Sequence, residues 1–106
     1  MAGNKVRYSP EAVNDLDEIW AYISDELQNP ESAANTVDGI MDAVDKLNDF
    51  PEMGSSLSSI TNIESVSRFL VCGSYIAFYH LDGSSVSIDR VLYGKRDYIR
   101  ILFEEE

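Results

Sequence analysis

A chain of 106 residues amounts to one domain, and 44% apolar with 10% aromatic residues is enough to build a single core, which excludes a disordered protein. The single cysteine, Cys72, excludes an internal disulfide and a cysteine-based zinc site, and the apolar runs are too short for a membrane span or signal peptide, so the expected compartment is the cytoplasm. Nineteen acids against eight bases give a net charge of −11, the wrong sign for direct nucleic-acid binding, which needs a basic footprint.

In chain order, Lys5 to Tyr8 alternate polar and apolar and predict a short strand. Ser9 and Pro10 then read as an N-cap and a first helical position, with Glu11 in the first turn. Val13, Leu16, Trp20, Ile23 and Leu27 follow at spacings of three and four, with Ala12 and Ile19 beside them, which predicts one amphipathic helix of about five turns. Most acids of this segment, Asp15 among them, are read as falling off the apolar stripe. Asn29, Pro30 and Glu31 repeat the start signal. A second stripe runs through Ala33, Ala34, Val37, Ile40, Met41, Val44 and Leu47 until Phe50 and Pro51 end it. The short link predicts an antiparallel hairpin, with Ala33, Ala34 and Gly39 allowing close approach.

Glu52 to Glu64 is serine-rich without periodicity and reads as a loop. Three strand-like runs follow, Val66 to Cys72, Tyr75 to Leu81 and Ser85 to Tyr93, separated by Gly73-Ser74 and Asp82-Gly83-Ser84. Gly94 closes the last strand, and Tyr98, Ile101 and Leu102 suggest a short terminal helix or tail. The expectation is a single domain over residues 1–106 of α+β class, ordered β-α-α-β-β-β. A helical hairpin would pack on a mainly antiparallel sheet, with the first strand joining one of its edges.

The charge is unevenly placed. From Pro10 to Met53 there are twelve acids and one base, Lys46. From Ser67 to Phe103 five bases, Arg68, Arg90, Lys95, Arg96 and Arg100, outnumber three acids. Catalytic patterns are thin. His80 is the only histidine and sits in a strand, where a structural or exposed role is the default. Cys72 reads as small apolar filler, and no phosphate-binding loop, nucleophile elbow or metal-ligand spacing occurs. Acids such as Asp38, Asp42 and Asp45 lie along one convex helix face, which does not converge on a cation. No cofactor or metal is therefore expected. The informative segment is Arg90 to Asp97, which sets Arg90, Tyr93, Lys95 and Arg96 at the exit of the last strand. With Arg68 and Arg100 it would make a cationic, aromatic-rimmed surface for an acidic protein or for phosphates. Internal pairing of Arg90 with Asp89, Asp97 or acids of the first helix is the alternative.

Tyr8 to Ala12 with Leu16 and Ile19, Phe50 to Gly54, Arg68 to Leu70, Gly73 to Tyr75 with Phe78 and Tyr79, and Ile88 to Asp97 together resemble the RelE/ParE superfamily of bacterial type II toxins. The resemblance spans nearly the whole chain and implies a helical hairpin on an antiparallel sheet. RelE-like members cleave messenger RNA on the ribosome with basic residues. This chain has Ser67, Phe69 and Ile76 where such residues are expected, and Leu102 in place of a nuclease-type tyrosine. Only Arg96 matches, so Arg96 is the catalytic candidate only if the chain is such an endoribonuclease; otherwise no catalytic residue is expected. ParE-like members inhibit DNA gyrase, and their last strand reads Arg-Val-x-His-Gly-x-Arg-Asp, matched here with Tyr93 for the histidine. The resemblance is closer to that branch. It implies a toxin of a toxin–antitoxin or plasmid-stabilisation system, neutralised by a small cognate antitoxin and directed at gyrase. The partner-binding residues expected are Arg68, Tyr75, Arg90, Tyr93, Lys95, Arg96 and Arg100. A relative that keeps the fold and a binding partner but has lost toxicity is the further alternative.

Overall fold

The computed structural model describes residues 5–56 and 67–94 of the chain. Lys5–Tyr8 forms strand β1, and Ser9 then turns the chain into helix α1, Pro10–Ala21. Three bonds fix that corner. The Ser9 hydroxyl accepts the Ala12 N–H at 3.0 Å and donates to the Asp89 carbonyl at 2.9 Å, while the Ser9 N–H donates to the Ile88 carbonyl at 2.9 Å. One serine thus caps the helix and ties it to the last strand. Ser9→Ala is expected to cost about 1–2 kcal/mol, read as a lower denaturation midpoint at unchanged slope.

The predicted five-turn helix is shorter in its regular part. After Ala21 the chain widens into a π turn, Tyr22–Glu26, in which the Leu27 N–H reaches the Tyr22 carbonyl at 3.2 Å. Gln28 takes a left-handed conformation (φ 53°) and the Asn29 N–H bonds the Ile23 carbonyl at 3.2 Å, closing the helix end as a Schellman-type stop. Asn29 accepts the Ser32 N–H at 3.0 Å and so caps helix α2, Pro30–Asp45, which runs on into a single 3-10 turn, Lys46–Asn48.

The buried face of α1 also differs from the predicted stripe. Ala12, Asp15, Leu16, Ile19 and Ile23 are buried, whereas Val13, Trp20 and Leu27 are exposed. The helix is rotated so that fully buried Ala12 sits against the sheet, where a small side chain permits close approach, and Trp20 is displaced toward solvent. On α2 the stripe holds for Ala33, Ile40 and Val44, and for Leu47 in the turn after it, with Val37 packed against them. Ala34, Met41 and Gly39 instead face outward, and a Cβ on Gly39 would meet no atom within 4 Å, so only Ala33 serves close packing.

The remaining described strands are β2 (Ser55–Ser56), β3 (Arg68–Cys72), β4 (Tyr75–Asp82) and β5 (Ser85–Tyr93). They form one sheet in the order β1-β5-β4-β3-β2, antiparallel except where β1 runs parallel to β5. The fold is therefore the expected α+β arrangement, with β1 at the β5 edge. Within the segment read as a loop, Ser55 and Ser56 pair with Phe69 and Arg68 as a short edge strand. The rest of that connection, and the expected terminal helix or tail, lie outside the described residues. Gly73 and Gly83 carry φ of 65° and 62°, the left-handed values the two hairpin turns require.

Alternation in β5 breaks once. Tyr79 faces Ile88 and Phe78 faces Arg90, so Asp89 is the extra residue of a bulge. The shift lets Ile88 and Val91, three apart, both enter the helix-facing core beside Tyr79, Val86 and Ala77. Tyr8 packs against this core with its hydroxyl buried and lacking a hydrogen-bond partner among the described residues. Burial foremost, then the nearby Asp45 charge, pushes its pKa up to about 12. A raised folded-state pKa means that ionisation favours the unfolded chain, so the stability Tyr8 contributes is present below pH ~10 and lost toward pH 12. Tyr8→Phe is expected to leave neutral stability unchanged or slightly higher and to flatten the alkaline loss, followed by denaturation midpoints across that range.

Candidate partner-binding site

The expected surface was to gather bases around the last strand; the geometry divides them. Arg90 is drawn inward onto α1. Its Nε and Nη2 donate to the Asp15 carboxylate at 2.8 and 3.0 Å, and the adjoining Val91 N–H donates to the same carboxylate at 2.9 Å. Asp15 is only 6% exposed, so this is a buried, two-pronged ion pair with a third donor, and it ties the middle of α1 to β5. Of the alternatives for Arg90, pairing with an acid of the first helix is therefore present. Asp15 itself escaped the sequence reading. Its signal was a carboxylate inside the arc of Ala12, Leu16 and Ile19, with arginine on the strand that arc would cover.

Arg68 is engaged elsewhere. It stands opposite Tyr79 on β3, and its Nη2 donates to the carbonyls of Glu52 at 3.1 Å and Gly54 at 2.7 Å. The Tyr79 hydroxyl accepts the Gly54 N–H at 3.0 Å and donates to the Pro51 carbonyl at 2.9 Å. Arg68 and Tyr79 together thus hold the Pro51–Gly54 turn against the sheet, which explains why Phe50 to Gly54 occurs as a motif. Phe50 and Met53 flank this turn and remain exposed.

Tyr75 and Tyr93 are the predicted residues the structure does bring together. They face one another across β4 and β5, ring centroids 5.7 Å apart at an interplanar angle of 61°, an edge-to-face contact. Burial, followed by the proximity of the Tyr93 and Tyr22 hydroxyls, raises the Tyr75 pKa. The two rings form one wall of a cleft of about 660 Å³. The opposite wall comes from α1 and its π turn, with Ile19, Tyr22, Ile23 and Leu27, and the rim carries Glu18, Ser32 and Thr36. Tyr22 and Leu27 are each more than half exposed. Neither had been picked out as a binding residue, because only the widened turn rotates them toward the strand end. Lys95, Arg96 and Arg100 lie outside the described residues.

The remaining chemistry is structural. His80 Nδ1 lies 2.9 Å from the carboxylate of Asp89, the bulged residue, on a half-exposed strand position. Burial pushes the Cys72 thiol up from its ordinary pKa, against a smaller opposing pull from the Ala77 backbone, and disfavours the reactive thiolate. Among the described residues no group of three His, Cys, Asp or Glu side chains converges as a metal site would require, and no helix is long and apolar enough to cross a membrane.

With this geometry in place, the family model described as "ParE toxin of type II toxin-antitoxin system, parDE" matches residues 6–98, which takes in β1, both helices, the Arg90 pair and the Tyr75–Tyr93 wall. The chain belongs to the ParE toxin family. Solved structures share its fold, two of which are toxin–antitoxin systems. One is the chromosomal ParDE toxin–antitoxin system from P. aeruginosa, 23% identical over 85% of this chain and 95% of that chain, with a TM-score of 0.72. The other is the RelBE2 toxin–antitoxin complex from Mycobacterium tuberculosis, 22% identical over 86% of this chain and 98% of that chain, with a TM-score of 0.58. No curated protein matches the chain. The match extends through Tyr93, whose ring has a partner in Tyr75.

Proposed function

We propose that the chain is a cytoplasmic ParE-type toxin that inhibits DNA gyrase, stabilises the replicon that encodes it, and is held inactive by a small cognate antitoxin. The observation that carries this reading is the family match over residues 6–98, joined to a last strand that reads Arg90, Val91, Leu92, Tyr93 and Gly94. The antitoxin partner is supported by the two related folds, both of which come from toxin–antitoxin systems. Inhibition by binding also suits the chemistry available. Cutting RNA needs several cations at the developing phosphorane and groups to move protons. Arg68 and Arg90 are spent on internal bonds, and Phe69 and Ile76 occupy sheet positions where a nuclease would carry bases. Partner recognition is assigned to Tyr75 and Tyr93, and to Lys95, Arg96 and Arg100 beyond them. Arg68 and Arg90 act in it by holding the surface in shape.

The test is to induce the chain alone in a bacterium and follow thymidine and methionine incorporation together, then repeat with its neighbouring gene co-expressed. Early loss of thymidine incorporation with a raised DNA-damage response, relieved by the neighbour, is the expected result. Immediate loss of methionine incorporation would overturn it in favour of a ribosome-dependent endoribonuclease and make Arg96 the residue to replace. If neither falls, the chain is a binding module without toxicity.

A further inference from the structure

Both helices pack on one face of the sheet, and that face takes Ala77 and Tyr79 from β4 and Val91 from β5 into the core. Side chains alternate along a strand, so Ile76 and Phe78 on β4, and Leu92 opposite Ile76, point to the other face. None of these three belongs to the helix-side core, and among the described residues no helix lies over them. Phe78 and Leu92 are nevertheless only 1 and 2% exposed. A phenyl ring and a leucine on a sheet surface reach such values only when apolar groups are laid across them.

The burial has edges. Along the strands it fades at His80 and Asp89, whose side chains are 35 and 34% exposed. Across the sheet it stops at Val71, opposite Ile76 on β3 and 61% exposed. The cover is therefore short and lies where β5 ends. There the Gly94 N–H bonds the Ser74 carbonyl at 2.9 Å, and a Cβ on Gly94 would stand 3.6 Å from Ile76 Cδ1, so the chain leaves the sheet against the covered patch. The other stretches outside the described residues start elsewhere. Residues 57–66 join β2 to β3 and would reach Val71 before Leu92. Residues 1–4 precede β1 at the Ser85 end of β5, remote from Leu92.

We propose that the covered patch is the seat of the chain's own segment 98–102, with Tyr98, Ile101 and Leu102 laid on Ile76, Phe78 and Leu92. Spacings of three and four set those three on one side of a helical turn and Arg96 and Arg100 on the other. Tyr98 to Leu102 takes about 6 Å of helix axis, against about 6.6 Å from Ile76 to Phe78 along β4, so the two rows match in length. The family match ends at residue 98, and the anchors Ile101 and Leu102 fall beyond it. Seated in this way, the segment turns Arg96 and Arg100 together toward solvent at a fixed place beside the end of β5. That consequence rests on the reading that these two arginines meet the partner; the seat itself does not.

The experiment is solution NMR of the full chain with methyl and aromatic labelling. Nuclear Overhauser contacts are expected from the Ile101 and Leu102 methyls to the Phe78 ring and the Leu92 methyls. Contacts to Phe78 and Leu92 from residues 57–66 in their place, or from neither stretch, would overturn the proposal. Ile101→Ser with Leu102→Ser is expected to open the patch: the Phe78 and Leu92 signals shift, and fluorescence of an uncharged apolar dye rises severalfold. Contacts among Ala77, Tyr79 and Val91 on the helix side should survive in that variant, and unchanged Phe78 and Leu92 signals would count against the seat. Should it fail to fold, the contacts in the parent chain decide alone. Arg100→Ser is expected to keep every contact of the segment, and their loss would overturn its orientation. None of these readouts involves a partner, gyrase or growth, so failure of the seat is distinguishable from failure of the toxin reading, which the incorporation assay decides.

Discussion

Asp15→Ala is expected to destabilise the fold by about 3–5 kcal/mol, the largest effect of any single polar substitution among the described residues. The carboxylate is 6% exposed and receives three hydrogen bonds, two from the Arg90 guanidinium and one from the Val91 N–H. Removing it leaves the guanidinium without its fork partner and orphans a buried backbone donor at the same time. A loss of that size is a large share of the stability a domain of this length commonly has, so urea denaturation should show a much lower midpoint at an unchanged slope. Because Arg90 and Asp15 act as a unit, Arg90→Ala and the double variant should be far from additive with Asp15→Ala, a coupling that a double-mutant cycle reads directly. A result within about 1 kcal/mol of the parent for Asp15→Ala would mean that the pair contributes little and that α1 is held by its apolar face alone.

Gly54→Ala is expected to be nearly as damaging, by about 2–4 kcal/mol, for a steric reason. A Cβ at this buried position would stand 2.6 Å from the Tyr79 hydroxyl oxygen and nearer still to the Phe69 carbonyl oxygen. The neighbour on one side is backbone of β3, which cannot retreat without breaking its pairing with β4. On the other side is a tyrosine whose hydroxyl bonds both Gly54 and Pro51. Either the turn lifts off the sheet, which also frees Arg68 from the Gly54 carbonyl, or the Tyr79 bonds are lost. Tyr79→Phe separates the two contributions. It keeps the ring and leaves the Gly54 N–H and Pro51 carbonyl unpaired, for an expected cost of about 1–3 kcal/mol. In Tyr79→Phe the Gly54→Ala penalty should shrink only in part, since the hydroxyl is gone but the Phe69 carbonyl, which the methyl approaches more closely, remains. Thermal unfolding of the three variants checks this.

The first of these ties also shapes the cleft, which Asp15 and Val91 line. The Asp15–Arg90 pair fixes how far α1 lies from β5, and the Tyr75–Tyr93 wall sits at the end of that same strand. A variant such as Asp15→Ala is therefore expected to weaken partner binding along with stability, whereas Tyr93→Ala, at an exposed position, should weaken binding with little loss of stability.

Local chemistry made much of this protein legible in advance. The Ser9-Pro10 and Asn29-Pro30 starts, the two glycines at left-handed turns and the alternation of the meander are short-range signals, carried by φ preferences and capping bonds between neighbours in the chain. The bounds of β5 and the order of elements followed from them, and the resemblance to the toxin family rested on the same residues. What stayed hidden depended on partners far away in sequence. Whether Val13 or Ala12 is buried is a rotation of the helix that periodicity alone leaves open, and the rotation observed is the one that brings the Asp15 carboxylate onto Arg90, 75 residues later. The edge taken by β1 was decided by Ser9 and Lys5 reaching the carbonyls of Ile88 and Ser84. Arg68, expected to contribute to a partner surface, bonds the carbonyls of a turn that returns to the sheet. A side chain's residue type and spacing state what it can bond to; only the packed chain brings the competing acceptors within 3 Å, and that competition determines which charges remain for a partner.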